Sequence, residues 1–252
     1  MLLKTDALIV RTYPVGEADR FLLVLTEERG LVRASARGAN HLKSRKGAAT
    51  ALLTYSRLTL SETKSGVLTV TEAEPLRVFF DLKSDIAAVT LGQYFCELAT
   101  VLAPEEEPAG DLLHLLLNAL HLLAEGKKDP RLIKAVTELR LLTLAGFAPE
   151  LTACRRCGGA EELSLSVREG TLTCRDCGVG LDSFPLSPTV LTALRFIVSA
   201  PPKKIFSFTV PDNELDALGQ VTERFLLAQL NRDFSTLSFY HEVESLKPKN
   251  TP

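Results

Sequence analysis

Four of the five cysteines stand in two matched pairs, Cys154-Arg155-Arg156-Cys157 and Cys174-Arg175-Asp176-Cys177, with 16 residues between the pairs. This C-x2-C…C-x2-C spacing is that of a zinc site. Each tight turn supplies two thiolates, and two turns complete a tetrahedron. Gly158, Gly159 and Gly178 follow the pairs and let the backbone turn so that its N–H groups face the sulfurs. Between the pairs, Leu163–Val167 and Thr171–Thr173 flank Glu169-Gly170, which predicts a hairpin and makes the unit a zinc ribbon. Four thiolates close the coordination shell, so one structural Zn2+ is expected rather than a catalytic one. Two alternatives are a pair of disulfides and a redox C-x-x-C. Met1–Val10 holds no secretory apolar run and Cys96 is left without a mate, which weighs against disulfides. The matched second knuckle weighs against redox chemistry. Cys96 itself falls in an apolar helical stretch and reads as core.

No other constellation suggests a reaction. The chain has no Gly-rich phosphate loop, no G-x-S-x-G and no H-E-x-x-H. His114 and His121 could share a helix face without a further ligand, and Glu105-Glu106-Glu107 reads as a solvated loop. The expectation is a protein that is not an enzyme. The most apolar stretch, Leu112–Ala124, is short and carries His114, Asn118 and His121, too polar to span a bilayer. A cytoplasmic protein without membrane contact is expected.

Charge is the second feature that could do chemistry. The 252-residue chain is nearly neutral, at -2, which excludes a strongly basic protein. Residues 1–80, however, hold 12 Lys/Arg against 8 Asp/Glu, and no acid stands between Glu28 and Glu62. That window contains Arg29, Arg33, Arg37, Lys43, Arg45, Lys46 and Arg57.

These side chains need elements to hold them. Strands are predicted at about 4–12, 20–27, 31–37, 52–61 and 66–74, parted by Pro14-Val15-Gly16, Glu28-Arg29-Gly30, a long polar stretch and Lys64-Ser65-Gly66. Five short strands suggest a small closed or half-closed barrel. Period two puts Arg33, Ser35 and Arg37 on one face, and likewise Tyr55, Arg57 and Thr59, although Thr54 and Ser56 weaken the apolar row opposite. Residues 38–51 would be a flexible basic loop. A cationic barrel face suits single-stranded nucleic acid, with phosphates on Lys and Arg and bases on a few rings. On charge alone, a solvated face is the alternative.

From about residue 81 the period is helical. Helices are predicted over 85–102, 111–124, 130–144 (Asp129 cap, Pro130 first, Gly146 stop), from Ser187-Pro188 to before Pro201, and over Asp212–Leu230 with Asp212 as cap and Leu215, Leu218, Phe225 and Leu226 inward. Residues 244–252 read as frayed.

Three blocks carry a resemblance. Asp19-Arg20-Phe21-Leu-Leu-Val-Leu-Thr26, Gly30-Leu31 and Ala36-Arg37-Gly38-Ala39 form the first. Gly146-Phe147-Ala-Pro149-Glu-Leu151 and Cys154-x-x-Cys157-Gly158 come after it in order. Together they closely resemble the bacterial recombination mediator family RecO over nearly the whole chain. The resemblance implies an α+β protein: an N-terminal OB-fold β-barrel over 1–80, and a C-terminal helical domain over 81–252 with a four-cysteine zinc ribbon inserted at 151–182. It implies binding of single- and double-stranded DNA, annealing of strands, and work with RecR and, in many bacteria, RecF. It also implies engagement of the C-terminal tail of single-strand-binding protein and help in loading RecA during repair. The expected DNA-binding residues are Arg20, Arg33, Arg37, Lys43, Arg45, Lys46 and Arg57; the expected metal ligands are Cys154, Cys157, Cys174 and Cys177. One departure is Asn40-His41, where relatives carry further basic residues, and it shifts weight to Lys43, Arg45 and Lys46. For the acidic tail, helix 129–144 with Arg131, Lys134 and Arg140 among leucines is the expected groove. On physics alone, an RNA-binding OB and zinc-ribbon protein of the translation or transcription machinery is the competing reading.

Overall fold

The alternation of small and branched apolar residues in the first 80 positions closes a sheet on itself. In the computed structural model, which describes residues 2–41, 43–62, 67–79, 82, 85–178 and 180–246, five strands form it: β1 (Leu2–Val15), β2 (Asp19–Thr26), β3 (Gly30–Ala36), β4 (Thr54–Glu62) and β5 (Leu68–Val78). They form a closed barrel in the order β1-β2-β3-β5-β4. All pairings are antiparallel except β3 with β5, where Ala34 faces Leu68 and Ser35 faces Thr69. This is the five-stranded Greek-key arrangement of an OB-fold. Ile9, Leu22, Val24, Val32, Leu58 and Leu60 fill the interior. Ser56, the weak point of β4, is buried and donates its hydroxyl to the Ala49 carbonyl at 2.7 Å. The expected turn at Lys64-Ser65-Gly66 lies outside the described residues.

One irregularity matters for function. The β1–β2 register slips between Ile9 and Arg11, a β-bulge. Before it, Ala7 and Ile9 point inward while Leu8 and Val10 are covered on the outside. A bulge adds one residue and reverses the inward–outward phase of the strand beyond it, so Arg11 and Tyr13 emerge on the outer face. Strict alternation from Ala7 would have sent both into the core.

Packing divides the chain into two compact units, 1–125 with 234–252, and 126–233. The first joins to the barrel α1 (Ile86–Leu102), α2 (Gly110–Glu125) and the last helix, which spans Ser235–Leu246. Asp85 caps α1 by accepting from the Ala87 N–H at 2.9 Å. The last helix is a correction, since 244–246 were expected to fray. It is held against α1: the Tyr94 and Phe234 rings lie edge to face at 5.9 Å, and the Thr236 N–H donates to Glu97 at 3.3 Å.

In the second unit α3 (Pro130–Leu144) is followed by the ribbon strands β6 (Leu163–Ser166), β7 (Thr171–Cys174) and β8 (Ser183–Pro185). Then come α4 (Pro188–Ser199), α5 (Asp212–Leu230) and, back in the first unit, α6, the helix at Ser235–Leu246. The ribbon sheet has the order β7-β6-β8 and is inserted between helices as expected. Pro130 and Pro188 occupy first-turn positions, with Asp129 and Ser187 accepting from the Arg131 and Val190 N–H groups at 2.8 and 3.1 Å. Asp212 does not cap α5: Pro211 holds that position, and the Asp212 carboxylate pairs with Arg131. α3 is the most enclosed helix of this unit, and it buries Lys134 in ion pairs with Glu138 and Glu223, both at 2.7 Å. Burial raises the Glu138 carboxyl above its usual range, and the two acids offset the cost of burying the lysine.

Candidate nucleic-acid interface and metal centre

The outer face of β1–β3 is built in cross-strand rows. Leu8, Leu25 and Leu31 make one row, all buried under the helical side of the unit. The next row is Arg11, Leu23 and Arg33, and the one beyond it is Tyr13, Phe21 and Ser35. Directly opposed side chains on neighbouring strands are close enough to act together. The Tyr13 and Phe21 ring centroids are 6.5 Å apart, and the Arg11 guanidinium stands 5.1 Å from the Tyr13 centroid. Tyr13 is 40% exposed. Arg37 continues the outward row of β3 and is exposed.

The expected cations divide sharply. Arg37, Lys43 and Arg45 are exposed and make no ion pair among the described residues. Arg33 is on the outer face but pairs with Glu105 at 2.7 Å. Arg57 lies on β4 and forms a two-pronged pair with Asp6 at 2.8 and 2.9 Å, which raises its pKa further. Lys46 donates to the Val70 carbonyl at 3.2 Å. Arg20 donates to Asn40, to the Gly47 carbonyl at 2.9 Å and to Thr50 at 3.3 Å. It therefore works as a clamp on the β3–β4 loop. Asn40, the departure from the family pattern, completes that clamp by donating to the Asp19 carbonyl at 3.0 Å. The loop expected to be flexible is thus anchored, with Ala39, Ala49 and Thr50 buried at its base, while Lys43 and Arg45 stay exposed.

Arg11, Tyr13 and Phe21 were not in the expected set. The Arg-x-Tyr spacing at 11–13 was the available signal, but it acquires meaning only through the bulge. The α3 groove expected for an acidic tail is also corrected. Arg131 pairs with Asp129, Asp212 and Asp216, Lys134 is buried, and Arg140 donates to the Val198 carbonyl at 2.7 Å. An enclosed helix commits its cations to its neighbours.

The four knuckle cysteines converge: their sulfurs all lie within 4.8 Å of one another, with Cys157 and Cys174 at 3.6 Å. A tetrahedron of thiolates with metal–sulfur bonds of about 2.3 Å has edges of about 3.8 Å, so the set fits one ion. Gly158 and Gly178 take left-handed conformations (φ +75° and +84°), and the Gly159 N–H donates to the Cys157 sulfur at 3.4 Å. Backbone N–H groups lower the Cys154 thiol to about 6, while the thiols of Cys157 and Cys174 push Cys177 up to about 12. The knuckle arginines are engaged: Arg155 with Glu169, Arg175 with Glu162, and Arg156 with the Cys177 carbonyl.

A closed OB barrel with a ring-and-guanidinium face, in a chain that also carries helices and a four-cysteine metal ribbon, defines a nucleic-acid-binding class of protein. Residues 1–79 match the family model described as Recombination protein O N terminal, and residues 83–238 the one described as Recombination protein O C terminal. The chain is 30% identical to the DNA repair protein RecO of Acetivibrio thermocellus, covering 97% of this chain and 98% of that one. It is 32% identical to the RecO of Syntrophotalea carbinolica (95% and 94%) and 40% identical to that of Heliobacterium modesticaldum (65% and 58%). The chain belongs to the RecO family of DNA repair proteins. No helix among the described residues is long and apolar enough to cross a membrane.

Proposed function

We propose that this protein is a recombination mediator that binds single- and double-stranded DNA on the outer face of β1–β3 and anneals complementary strands. The observation that carries this reading is the row of Tyr13 and Phe21 beside Arg11, on the same domain as the exposed Arg37, Lys43 and Arg45, which make no ion pair among the described residues. Bases stack on the rings, and phosphates release counterions to the cations. Two strands held on one cationic surface repel each other less, and base pairing supplies the free energy, so no nucleotide hydrolysis enters the reading. Residues 1–80 are the DNA-binding domain in this account. One zinc ion held by Cys154, Cys157, Cys174 and Cys177 stabilises the ribbon.

Family membership supports the partners: RecR, in many bacteria RecF, the tail of single-strand-binding protein, and RecA as the recombinase being loaded. DNA as the ligand supports a cytoplasmic, nucleoid-associated location. The test is annealing of two complementary labelled oligonucleotides without ATP, with strand binding followed by fluorescence anisotropy. Salt-sensitive binding and accelerated annealing are expected; no acceleration over the spontaneous rate at low salt overturns the reading. A competition between DNA and RNA of one sequence separates this function from that of an RNA-binding ribbon protein.

A further inference from the structure

The link between α1 and α2 carries charge that the DNA-binding reading leaves unused. It runs along the β2–β3 end of the barrel and is locked there. The Leu31 N–H donates to the Pro104 carbonyl, and the Ala109 N–H to the Glu27 carbonyl, both at 2.8 Å. Glu105 makes β-bridges to Gly30 and Leu31. A Cβ at Gly30 (φ +55°) would sit 2.2 Å from the Pro104 oxygen and 2.6 Å from that of Glu107, so only glycine admits this approach. Glu106 itself is left-handed (φ +60°), a conformation glutamate rarely adopts.

This anchored backbone aims two carboxylates at two arginines. Glu105 meets Arg33 at 2.7 Å, and Glu106 takes both the Nε and an Nη of Arg29. All four side chains are more than a third exposed. Exposed pairs of this kind add little to stability, so their consequence is electrostatic: they neutralise the two arginines. The pairs line a cleft of about 350 Å³ whose wall includes Phe21. Phe21 is also half of the aromatic row, so the cleft continues the proposed strand track.

Resting on the DNA-binding reading above, we propose that Glu105 and Glu106 are built-in phosphate competitors. They occupy Arg33 and Arg29 until the backbone phosphates of a strand lying over Tyr13 and Phe21 displace them. They thereby set the affinity and salt response of strand binding, and they keep the strand releasable. The competition is local, because the carboxylates swing aside while the link stays bound to β3.

The test measures anisotropy of a fluorescein-labelled 30-nucleotide oligothymidylate with the full chain over a salt series. E105Q/E106Q is expected to bind several-fold tighter at low salt. Its log–log salt slope should steepen by up to about 1.4, because in the wild type each displaced carboxylate takes up a cation and offsets the counterion released from one phosphate. Adding R29A/R33A to that variant should cancel both gains, and R29A/R33A alone should weaken binding several-fold, because two phosphate contacts are lost and the carboxylates are left facing the strand. Melting temperatures should stay within a few degrees, since only exposed groups change. Unchanged affinity and slope in E105Q/E106Q, while R37A/K43A/R45A still weakens binding, overturns this inference and leaves the DNA-binding reading intact. Wild-type protein that does not bind at all overturns both.

Discussion

Tyr13 and Phe21 face each other across β1 and β2 with ring centroids 6.5 Å apart, where the outer face of β1–β3 passes from buried leucines to an exposed Tyr13, a half-buried Phe21 and the Arg11 and Arg33 guanidinium groups. Replacing either ring tests stacking separately from charge. Stacking is worth about 1–3 kcal/mol per base, so Y13A and F21A should each weaken oligothymidylate binding about fivefold or more. The salt slope should hold, because no phosphate contact is lost. Anisotropy at two salt concentrations separates these outcomes.

The cations make the opposite prediction. R37A/K43A/R45A should lower the salt slope by about 2, at about 0.7 per phosphate. R57A should leave binding within twofold, because its guanidinium is already committed to Asp6. R20A should act through the fold: releasing the β3–β4 loop lowers the melting temperature and weakens binding indirectly. A loss on R57A as large as that on the triple variant would move the interface to β4.

Metal and DNA binding should separate. C154S or C174S is expected to lose stoichiometric zinc and to lower the stability of the 126–233 unit, since metal binding contributes folding free energy directly. Because the knuckle arginines are engaged within the ribbon, oligothymidylate binding should persist within a few-fold. Metal analysis and calorimetry read the first effect, and anisotropy reads the second.

Cys96 on α1 gives a pH signature. It is 1% exposed, and burial pushes its thiol up to about 12 from an ordinary value of 9.0. The folded state therefore holds this proton more tightly than the unfolded state. The stabilising effect is complete below pH 9 and is lost as pH rises towards 12. Comparing melting temperatures of wild type and C96A at pH 8 and pH 10.5 should show a steeper alkaline decline in wild type. Equal slopes would mean that the thiol is not sequestered.

Much of the scaffold was legible because it arises from local rules. Period-two alternation marked the five strands, Asp129-Pro130 and Ser187-Pro188 marked helix starts, and the cysteine spacing marked the ribbon. Each depends on neighbours a few residues apart. The charged residues were less transparent, since a bare Arg in sequence does not declare its partner. The window without acids between Glu28 and Glu62 suggested a continuous cationic face, yet Asp6 from β1 and Glu105 and Glu106 from the α1–α2 link reach into it. Those acids lie dozens of residues away along the chain.

By itself the sequence determined the five strands, the capped starts of α3 and α4, and that four sulfurs would meet, because apolar periodicity and short spacings act within one element. Only the tertiary structure decided which cations remain available and which rings come to the surface. The bulge after Ile9 turns Arg11 and Tyr13 outward, and strand pairing sets them beside Phe21. Register and long-range ion pairs arise between segments, so the residues of one segment cannot specify them alone.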